Sequence, residues 1–441
     1  MAVEEGQVHG GLRTLAFDPT RVADLSTDYG FSAREADVGQ PPSGPVIGAL
    51  DGVRILDLSR VLAGPLGTMV LGDLGADVIK VERPGSGDDL RAWGPPFTED
   101  GESAYFLAVN RNKRSMTLNL KAPRGKALLR DLAKRADVIV ENFRVGTMDD
   151  LGLGYEVLRT DNPGLIYCAL SAYGTSGPYR DLPGYDIIIQ AMGGLMSVTG
   201  EADGPPMRAG IAVADILAGL YAAIGIMAAL AERRSTGIGR RVDLSLLEVQ
   251  LASLVNLASN YLITGARPTR LGNAHPSIAP YEVFKSEDGH LAVAVATEDQ
   301  WARFAVAIGR ADLVADPRAM RNGDRVANRP WLTEELATVI GRRTTDAWVV
   351  DLRAADVPCG PVNTVDAALD DPHTRALDLI TSFDRGGTAM PIVGSPLRFS
   401  NEPRRSPIAP PRLGEHTDAV LTEFLQLSPE DIQSLRDASV V

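Results

Sequence analysis

The sequence has few of the residues that most often carry catalytic chemistry or covalent cross-links. Among 441 residues there are only 2 cysteines and 5 histidines. Cys168 and Cys359 lie far apart and supply neither a zinc site nor a disulfide framework. The sequence also contains no GxSxG turn, no HExxH helix and no Walker A lysine loop. The groups that remain as candidates for a catalytic role are carboxylates and the backbone N–H groups of glycine-containing segments.

Basic clusters and long hydrophobic runs are also scarce. The formal net charge is −13, and because no basic run offsets it, the composition argues against a nucleic-acid partner. The first residues lack the basic and apolar regions of a signal peptide. We also expect no membrane span, which would need a stretch of ~18 apolar residues. We therefore expect a cytoplasmic protein with neither a membrane nor a nucleic-acid partner.

From residue 53 onward, short β-rich runs alternate with helical runs. Strands are predicted at 53–58, 77–82, 137–141 and 165–170, and helices at 64–74 and 124–135. This alternation predicts parallel βαβ units, so the expected fold class is α/β, with a Rossmann-like large domain and a smaller α+β domain. No GxGxxG follows the first strand, which disfavours a dinucleotide site.

Changes of pattern along the chain predict four parts. They are an N-terminal extension at 1–48, a large Rossmann-like domain with long linker helices at 49–265, a small α+β domain at 266–370, and a C-terminal segment at 371–441 that returns to the large domain. The linker helices are predicted at 215–234 and 245–264. A hairpin formed by 281–285 and 290–295 is expected early in the small domain.

A single carboxylate stands out in the apolar stretch 204–221. Asp215 precedes a run of apolar residues with helical spacing, so we expect it to open a buried helix as its N-cap. The positive end of the helix dipole would keep this carboxylate ionised and available to an electrophilic carbon. The residues alone favour a cap and leave a catalytic role open.

Several ordered motifs resemble the class III CoA-transferases. They lie at 58–65, 72–85, 87–89, 93–97, 110–113, 140–143 and 183–186. This family includes formyl-CoA:oxalate and carnitine CoA-transferases and shares its fold with the α-methylacyl-CoA racemases. The resemblance extends from about Leu50 to the C-terminus. It implies a homodimer of two interlocked, ring-like chains.

The resemblance also implies roles for individual residues. Asp215 matches the family nucleophile, which forms an aspartyl anhydride and then an aspartyl-CoA thioester. Tyr185 and Asp186 match an active-site pair beside it. The residues implied to contact CoA are Arg83, Leu118, Asn142, Phe143, Arg111, Lys113, Leu62 and Ala63. No metal and no permanently bound cofactor are implied, because CoA thioesters are the substrates.

The motifs are most similar to the succinyl-CoA-dependent, glutarate-type branch, so we expect CoA transfer from succinyl-CoA to a dicarboxylic acid. Formyl-CoA enzymes carry glutamine where this chain has Leu62, and the region from Gly272 lacks their run of glycines. These departures argue against formyl-CoA and oxalate. A second carboxylate on the acceptor needs a cation, for which Arg208 and His275 are hypothetical partners and Arg111 an alternative.

Two other functions stay open at this stage. An acyl-CoA racemase or isomerase of the same fold is the alternative, although racemases have histidine where this chain has Tyr185. Glu248 is also found in racemases, but a polar helix position explains it equally well. The third function is that of a binding protein that keeps the fold of an enzyme without its activity. It is disfavoured because Asp215 is retained together with the CoA-site residues.

Overall fold

A computed structural model of the protein describes residues 48–400 and 405–441, so the predicted extension at 1–48 lies outside the described residues except for Gly48. The central feature of the described chain is a six-stranded sheet. Its strands are β1 (Arg54–Asp57), β2 (Asp77–Glu82), β3 (Lys113–Thr117), β4 (Val138–Glu141), β5 (Ile166–Ser171) and β6 (Arg241–Ser245). Every neighbouring pair is parallel. The order β3-β2-β1-β4-β5-β6 is that of a doubly wound nucleotide-binding sheet.

Two smaller antiparallel sheets follow. The first contains β7 (Tyr281–Lys285), β8 (His290–Ala294) and β9 (Cys359–Pro361), and the second is a hairpin of β10 (Ile380–Arg385) and β11 (Thr388–Val393). The first sheet has its own core of buried side chains, which includes Phe284 and Trp301. The observed architecture is therefore mixed α/β, and the predicted domain boundaries stay a prediction.

The helices connect and cover these strands. In the first half they are α1 (Ala63–Asp73), α2 (Ala104–Val109), α3 (Pro123–Ala133), α4 (Thr147–Asp150), α5 (Tyr155–Asp161), α6 (Asp186–Met192), α7 (Leu195–Val198), α8 (Val213–Thr236), α9 (Leu246–Ser253) and α10 (Val255–Thr264). The others are α11 (Glu298–Ala307), α12 (Asn322–Ala327), α13 (Arg329–Ile340), α14 (Thr345–Ala354), α15 (Val365–Asp370), α16 (Pro372–Ala376), α17 (Thr417–Leu425) and α18 (Pro429–Asp437). Short 3₁₀ turns occur at Asp89–Ala92 and Ala311–Val314.

The large sheet is buried on both faces because its strands alternate between two hydrophobic cores. Ile55 of β1 belongs to a core that it shares with α1 and α8, whereas Leu56 points to the opposite core. That opposite core also contains residues of α17 and α18 at the end of the chain. Short, continuously apolar strands are expected for a parallel sheet covered on both sides.

Four strands predicted from the sequence are confirmed, whereas β3 and β6 were missed. Both are rich in polar residues, and they form the two edges of the sheet. The helix predicted at 245–264 is wrong in one respect, because α9 and α10 meet at a bend of 76°. Val255 has a positive φ of 39° at this break. No glycine or proline marks the position, so the local sequence gives no signal for it.

Helix α8 is long and apolar enough to cross a membrane by length and composition alone, and the bent pair α9–α10 also passes if it counts as one span. This differs from the expectation that no stretch reaches that length. Eight residues of α8 are buried, among them Ala218 and Ile226 in the core beside the sheet. A core helix passes the same test, so the sequence-based expectation of no membrane partner stays a prediction.

Candidate active site

The amino-terminal end of α8 is capped by a side chain from another helix. Asp186, the first residue of α6, accepts the Ala214 N–H at 2.9 Å and the Gln190 side-chain N–H at 2.6 Å. The expectation that Asp215 is the N-cap is therefore wrong. The helix begins at Val213, and Asp215 lies inside its first turn. Because Asp186 supplies the cap, the carboxylate of Asp215 is not needed for that purpose.

Gln190 holds this arrangement together from a fully buried position. Besides its bond to Asp186, its amide nitrogen donates to the Ile211 carbonyl at 3.2 Å, and its oxygen accepts the Ala209 N–H at 2.8 Å. The amide thus ties the segment before α8 to α6. Sequence reasoning did not single out Gln190, and only its spacing of four residues from Asp186 on one helix could have suggested the pair.

The electrostatic setting of Asp215 is unusual for an aspartate. Burial, and secondly the negative charge of Asp186, raise the pKa of Asp215 to about 7. Burial and the charges of Asp215 and Asp186 also raise the pKa of the Tyr105 phenol. Tyr105 lies on α2 next to Trp93, with their ring centroids 6.2 Å apart. A perturbed carboxylate next to a phenol and a second carboxylate is a typical feature of a catalytic site.

Helices α1 and α8 cross at two glycines. A Cβ built on Gly219 would lie 2.5 Å from the Ala63 carbonyl oxygen, and one on Gly67 would lie 2.6 Å from the Gly219 oxygen. Residues four apart on a helix share a face, so Asp215 lies one turn from Gly219 on the side of α8 that faces α1. The amino terminus of α1 therefore lies beside Asp215.

The first turn of α1 has unused hydrogen-bond donors. Its N-cap residue, Leu62, provides no side-chain acceptor, and no acidic residue stands in the first turn. Within the described residues, the N–H groups of Ala63 and Gly64 have no protein acceptor. Position 64 tolerates only glycine, because a Cβ there would lie 2.2 Å from the Ser59 hydroxyl oxygen. Of the predicted pair, Ala63 thus presents a backbone donor near Asp215 together with Gly64, whereas the side chain of Leu62 is buried.

The loop between β1 and α1 is held by side chains beneath and beside it. The Ser59 carbonyl accepts from the Lys80 ammonium at 3.0 Å, and the Val61 N–H donates to the Asp88 carboxylate at 3.1 Å. Lys80 and Asp88 are themselves a fully buried ion pair at 2.8 Å. Val61 has a φ of 65°, a rare conformation for a β-branched residue that costs about 1–3 kcal/mol. The surrounding bonds keep this strained loop in one conformation.

Lys113 belongs to the same buried network and does not face a ligand. Its ammonium contacts Asp57 at 3.0 Å, the Pro65 carbonyl at 2.8 Å and the Asn110 side chain at 3.0 Å, and its side chain is fully buried. Burial opposes the ionisation of Asp57, but Lys113 and Lys80 hold the pKa of its carboxyl at about 2. Contact between Lys113 and a CoA phosphate does not fit this burial, so we revise its assignment to support of the β1–α1 loop.

Arg111 is also placed away from the carboxyl ends of the strands. Strand β3, which the sequence analysis missed, begins at Lys113. Arg111 precedes this strand and therefore lies on the side of the sheet where the strands begin. Its guanidinium is paired with Asp73 through two bonds of 2.6 and 2.9 Å and donates to the Val393 carbonyl. It borders a cavity of about 470 Å³ near β10 and β11. The assignment of Arg111 to CoA or to the substrate acid is corrected accordingly.

The other residues implied to contact CoA do follow the carboxyl ends of strands. Arg83 comes after β2 and forms a half-exposed ion pair with Asp89 at 2.6 Å. Leu118 comes after β3, but its side chain is buried, so only its backbone could meet a ligand. Asn142 and Phe143 come directly after β4. These four positions lie at the carboxyl ends of the strands, which is where doubly wound sheets bind nucleotides.

The residues predicted for the acceptor side are only partly brought together. Gly272 and His275 line one cavity of about 260 Å³, where His275 packs on Tyr281 with ring centroids 5.3 Å apart. The His275 Nδ1 atom accepts the Ser277 N–H at 3.1 Å, which leaves Nε2–H as the free donor. Arg208 is exposed and does not line this cavity. Tyr185 is 62% exposed at the start of α6.

Comparison with known proteins agrees with this geometry. The family model described as CoA-transferase family III matches residues 50–417. A succinate–glutarate CoA-transferase of Agrobacterium fabrum is 45% identical, over 85% of this chain and 95% of its own length. A succinyl-CoA:mesaconate CoA-transferase of Haloarcula marismortui is 40% identical, over 86% of this chain and 96% of its own length.

A solved structure supports the same conclusion. The crystal structure of a CAIB/BAIF family protein from Brucella suis has a TM-score of 0.77 and 42% sequence identity, and the match covers 86% of this chain and all of that one. Sequence and fold therefore agree over most of the described residues. The chain belongs to CoA-transferase family III and is a class III CoA-transferase.

Proposed function

We propose that the protein transfers CoA from succinyl-CoA to a dicarboxylic acid, with Asp215 as the covalent nucleophile. The observation that carries this proposal is the position of Asp215. Its carboxylate lies in the first turn of α8 and is not required as a helix cap, and it is beside the N–H groups of Ala63 and Gly64 on α1, which have no acceptor among the described residues. A nucleophile and donors for a developing oxyanion are the two groups that acyl transfer requires.

The proposed reaction proceeds through four substitutions at carbonyl carbon. The Asp215 carboxylate attacks the thioester carbonyl of succinyl-CoA, so a C–O bond forms, the C–S bond breaks and CoA thiolate leaves. The thiolate then attacks the Asp215 carbonyl of the mixed anhydride, which releases succinate and leaves an aspartyl-CoA thioester. The acceptor carboxylate attacks this thioester, and the thiolate that leaves attacks the acceptor carbonyl. The acyl-CoA product departs, and the Asp215 carboxylate is regenerated.

The surroundings of Asp215 suit each of these steps. The raised pKa of about 7 makes the carboxylate more basic than an ordinary aspartate, and a more basic carboxylate is a better nucleophile toward a thioester. Each tetrahedral intermediate carries a negative oxygen, which the Ala63 and Gly64 N–H groups and the positive end of α1 would stabilise. Tyr105, whose phenol is close enough for the charge of Asp215 to affect its pKa, is a further candidate donor.

The choice of substrates rests on similarity and on a weaker structural argument. Glutarate and mesaconate, named for two relatives, are both dicarboxylic acids. An acceptor bound through one carboxyl group needs a partner for the other. The His275 Nε2–H in the 260 Å³ cavity, and the exposed Arg208, are the proposed partners. If Arg208→Met leaves the Michaelis constant for the dicarboxylic acid unchanged, the part assigned to Arg208 is wrong.

We include an interlocked homodimer in the proposal because of an uncovered apolar surface. On α10, Leu262 and Ile263 are 79% and 83% exposed, and on α8, Tyr221 and Ile224 are also exposed. Large apolar side chains left exposed on two helices are candidates for an interaction site. A second copy of the chain is the occupant that the family resemblance implies.

A product assay tests the proposal and its alternative together. Purified protein is mixed with succinyl-CoA and single acids, among them glutarate, mesaconate, itaconate and carnitine, and new CoA thioesters are detected by mass. The proposal expects a new thioester with a dicarboxylic acid, absent for Asp215→Ala and retained for Asp181→Ala, which alters an exposed ion pair. If no thioester forms and α-protons of acyl-CoA exchange with deuterated water, the racemase alternative replaces it.

A further inference from the structure

Arg60 occupies the topological switch point of the large sheet. It follows β1 by three residues, and Asn142 and Phe143 follow the neighbouring strand β4. From β1 the chain continues to β2 and β3 on one side of the sheet, and from β4 to β5 and β6 on the other. In open α/β sheets, ligands bind in the crevice outside the carboxyl ends of the strands at this point.

The backbone of Arg60 is fixed by a side chain across the crevice. Its N–H donates to the Asn142 Oδ1 atom at 2.9 Å, and its carbonyl accepts from the Asn142 Nδ2 atom at 2.8 Å. The amide of Asn142 is therefore used to hold Arg60. The residues on either side are held as well, Ser59 by Lys80 and Val61 by Asp88. This places the Cα of Arg60 with little freedom, as expected for a residue that must meet a ligand in one position.

The side chain of Arg60 stacks on an aromatic ring and forms no ion pair with any described residue. The guanidinium carbon lies 4.9 Å from the centroid of the Phe143 ring, and the residue is partly buried. Within the described chain, no hydrogen bond or ion pair of this guanidinium is found, whereas Arg91 and Arg111 are each paired with carboxylates. A partly buried cation without a partner is costly, and in a protein of net charge −13 carboxylates are not scarce.

A second cation faces the same crevice. Burial, and then the positive charge of Arg83, lower the pKa of Arg60, and the charges of Asp89 and Asp88 oppose this only in part. Arg83 follows β2, the other neighbour of β1. Two guanidinium groups that repel each other without a ligand would both be stabilised by one phosphate between them, since guanidinium donors match phosphate oxygens.

We propose that Arg60, stacked on Phe143 at the β1–β4 switch point, is a further binding residue for CoA and shares a phosphate of its nucleotide part with Arg83. This proposal rests on the proposed function only in taking CoA as the ligand. The phosphate is either the 3′-phosphate or the pyrophosphate, which have the same chemistry. Arg60 takes no part in bond making, so its contribution lies in affinity for CoA and not in the rate of the covalent steps.

Direct titration of CoA by calorimetry tests the proposal without any turnover. Arg60→Met is expected to weaken CoA binding by about 10-fold or more, as for the loss of a charge-assisted hydrogen bond, and Arg60→Lys to recover part of the affinity. Arg54→Met is the matched control. Arg54 also stacks on a phenylalanine, with its guanidinium carbon 4.8 Å from the Phe424 ring. It is the first residue of β1, however, and so lies at the amino-terminal ends of the strands, away from the proposed CoA site. It should bind CoA like the unaltered protein.

Titration with 3′-dephospho-CoA identifies the phosphate. If the loss caused by Arg60→Met disappears with this ligand, Arg60 contacts the 3′-phosphate, and an equal loss with both ligands assigns it to the pyrophosphate. Unchanged CoA affinity in Arg60→Met overturns the proposal while leaving the transferase intact. If the unaltered protein does not bind CoA, this inference and the proposed function both fall. Should Arg60→Met not fold, Arg60→Lys and Arg60→Gln are compared, since lysine keeps the positive charge and glutamine does not. Weaker CoA binding by Arg60→Gln than by Arg60→Lys supports the proposal, and affinities equal to that of the unaltered protein overturn it.

Discussion

At the scale of single residues, the site depends on a division of labour between two aspartates. Asp186 accepts the N–H of Ala214 at the start of α8, whereas the carboxylate of Asp215, one residue further along, makes no hydrogen bond within the part of the chain that the structure describes. A side-chain cap from outside a helix is worth about 1 kcal/mol. In this arrangement it also brings a negative charge close to Asp215, which adds to the larger effect of burial in raising the pKa of that group. One contact therefore serves both the fold and the chemistry.

The pH dependence of the reaction follows from this pair. Because Asp215 attacks as the carboxylate and its pKa is about 7, kcat/KM for the acyl-CoA should rise with pH through about 7 and then level off. Asp186→Asn keeps an oxygen for the Ala214 N–H but removes the charge, so the midpoint should move to lower pH. It should stay above the ordinary aspartate range, because burial is the larger cause of the shift.

The measurement is a pH–rate profile of the two proteins. Asp181→Asn is the control, because that exposed residue pairs with Arg180 outside the α6–α8 contact, and its midpoint should match the unaltered protein. An unmoved midpoint in Asp186→Asn would show that the charge of Asp186 does not control Asp215.

At the scale of elements, the glycine crossing of α1 and α8 sets the distance between the nucleophile and the backbone donors. Gly219→Ala would place a Cβ 2.5 Å from the Ala63 oxygen, so the helices must separate. We expect destabilisation of about 1–3 kcal/mol and a loss of kcat of up to about 100-fold from the displaced donors. Thermal unfolding and steady-state rates measure both effects. Gly323→Ala, on α12 with no clash for the added Cβ, should neither lower stability nor reduce kcat, since alanine is the better helix former.

The buried charges under the β1–α1 loop are the second element-scale feature. Lys113→Met should cost about 3–5 kcal/mol, since it leaves the buried Asp57 without its closest cation. Urea unfolding is the measurement, with the exposed Lys121→Met as a control that should be neutral. Partial recovery of stability in the double variant Lys113→Met, Asp57→Asn is expected. A variant that stays as stable but binds CoA more weakly would return Lys113 to the ligand site.

The elements that could be predicted from the sequence are those with one dominant pattern. Strands β1, β2, β4 and β5 are short apolar runs, and their positions follow from burial on both faces. Strand β3 has the sequence Lys-Arg-Ser-Met-Thr, and the charged partners of its side chains are distant in sequence, such as Asp57 for Lys113. Local pattern cannot reveal such partners. For this reason the sequence analysis places Arg111 and Lys113 with the ligand at the carboxyl ends of the strands, whereas both lie where β3 begins.

The candidate site shows the same limit. The resemblance pointed to Asp215 and, through the motif at 58–65, to Ala63 on α1. The structure adds Tyr105 and Gln190, which come from two other parts of the chain and carry no motif of their own. What brings them together is the packing of α1, α2 and α6 around the start of α8, which is a tertiary property.

At the scale of the whole molecule, the uncovered apolar residues of α8 and α10 lead to a prediction about assembly. We expect a homodimer that persists on dilution, because interlocked chains cannot separate while folded. Sizing chromatography with light scattering, over a wide range of concentrations, should give the mass of two chains at every concentration. Dissociation should coincide with loss of secondary structure in urea. A folded monomer at low concentration would contradict the interlocked arrangement.

The most direct test of the account is to capture the covalent intermediate on Asp215. The protein is incubated with succinyl-CoA and quenched with hydroxylamine, which converts an aspartyl anhydride or aspartyl thioester to a hydroxamate. Trypsin then releases the segment 209–233, which contains Asp215 and one other acidic residue, Glu232. We expect a hydroxamate on Asp215 that forms only with succinyl-CoA. It should be lost when excess glutarate is added, because glutarate reacts with the aspartyl-CoA thioester and regenerates the free carboxylate. Transfer activity with no modification, or with modification at another residue, would contradict Asp215 as the nucleophile.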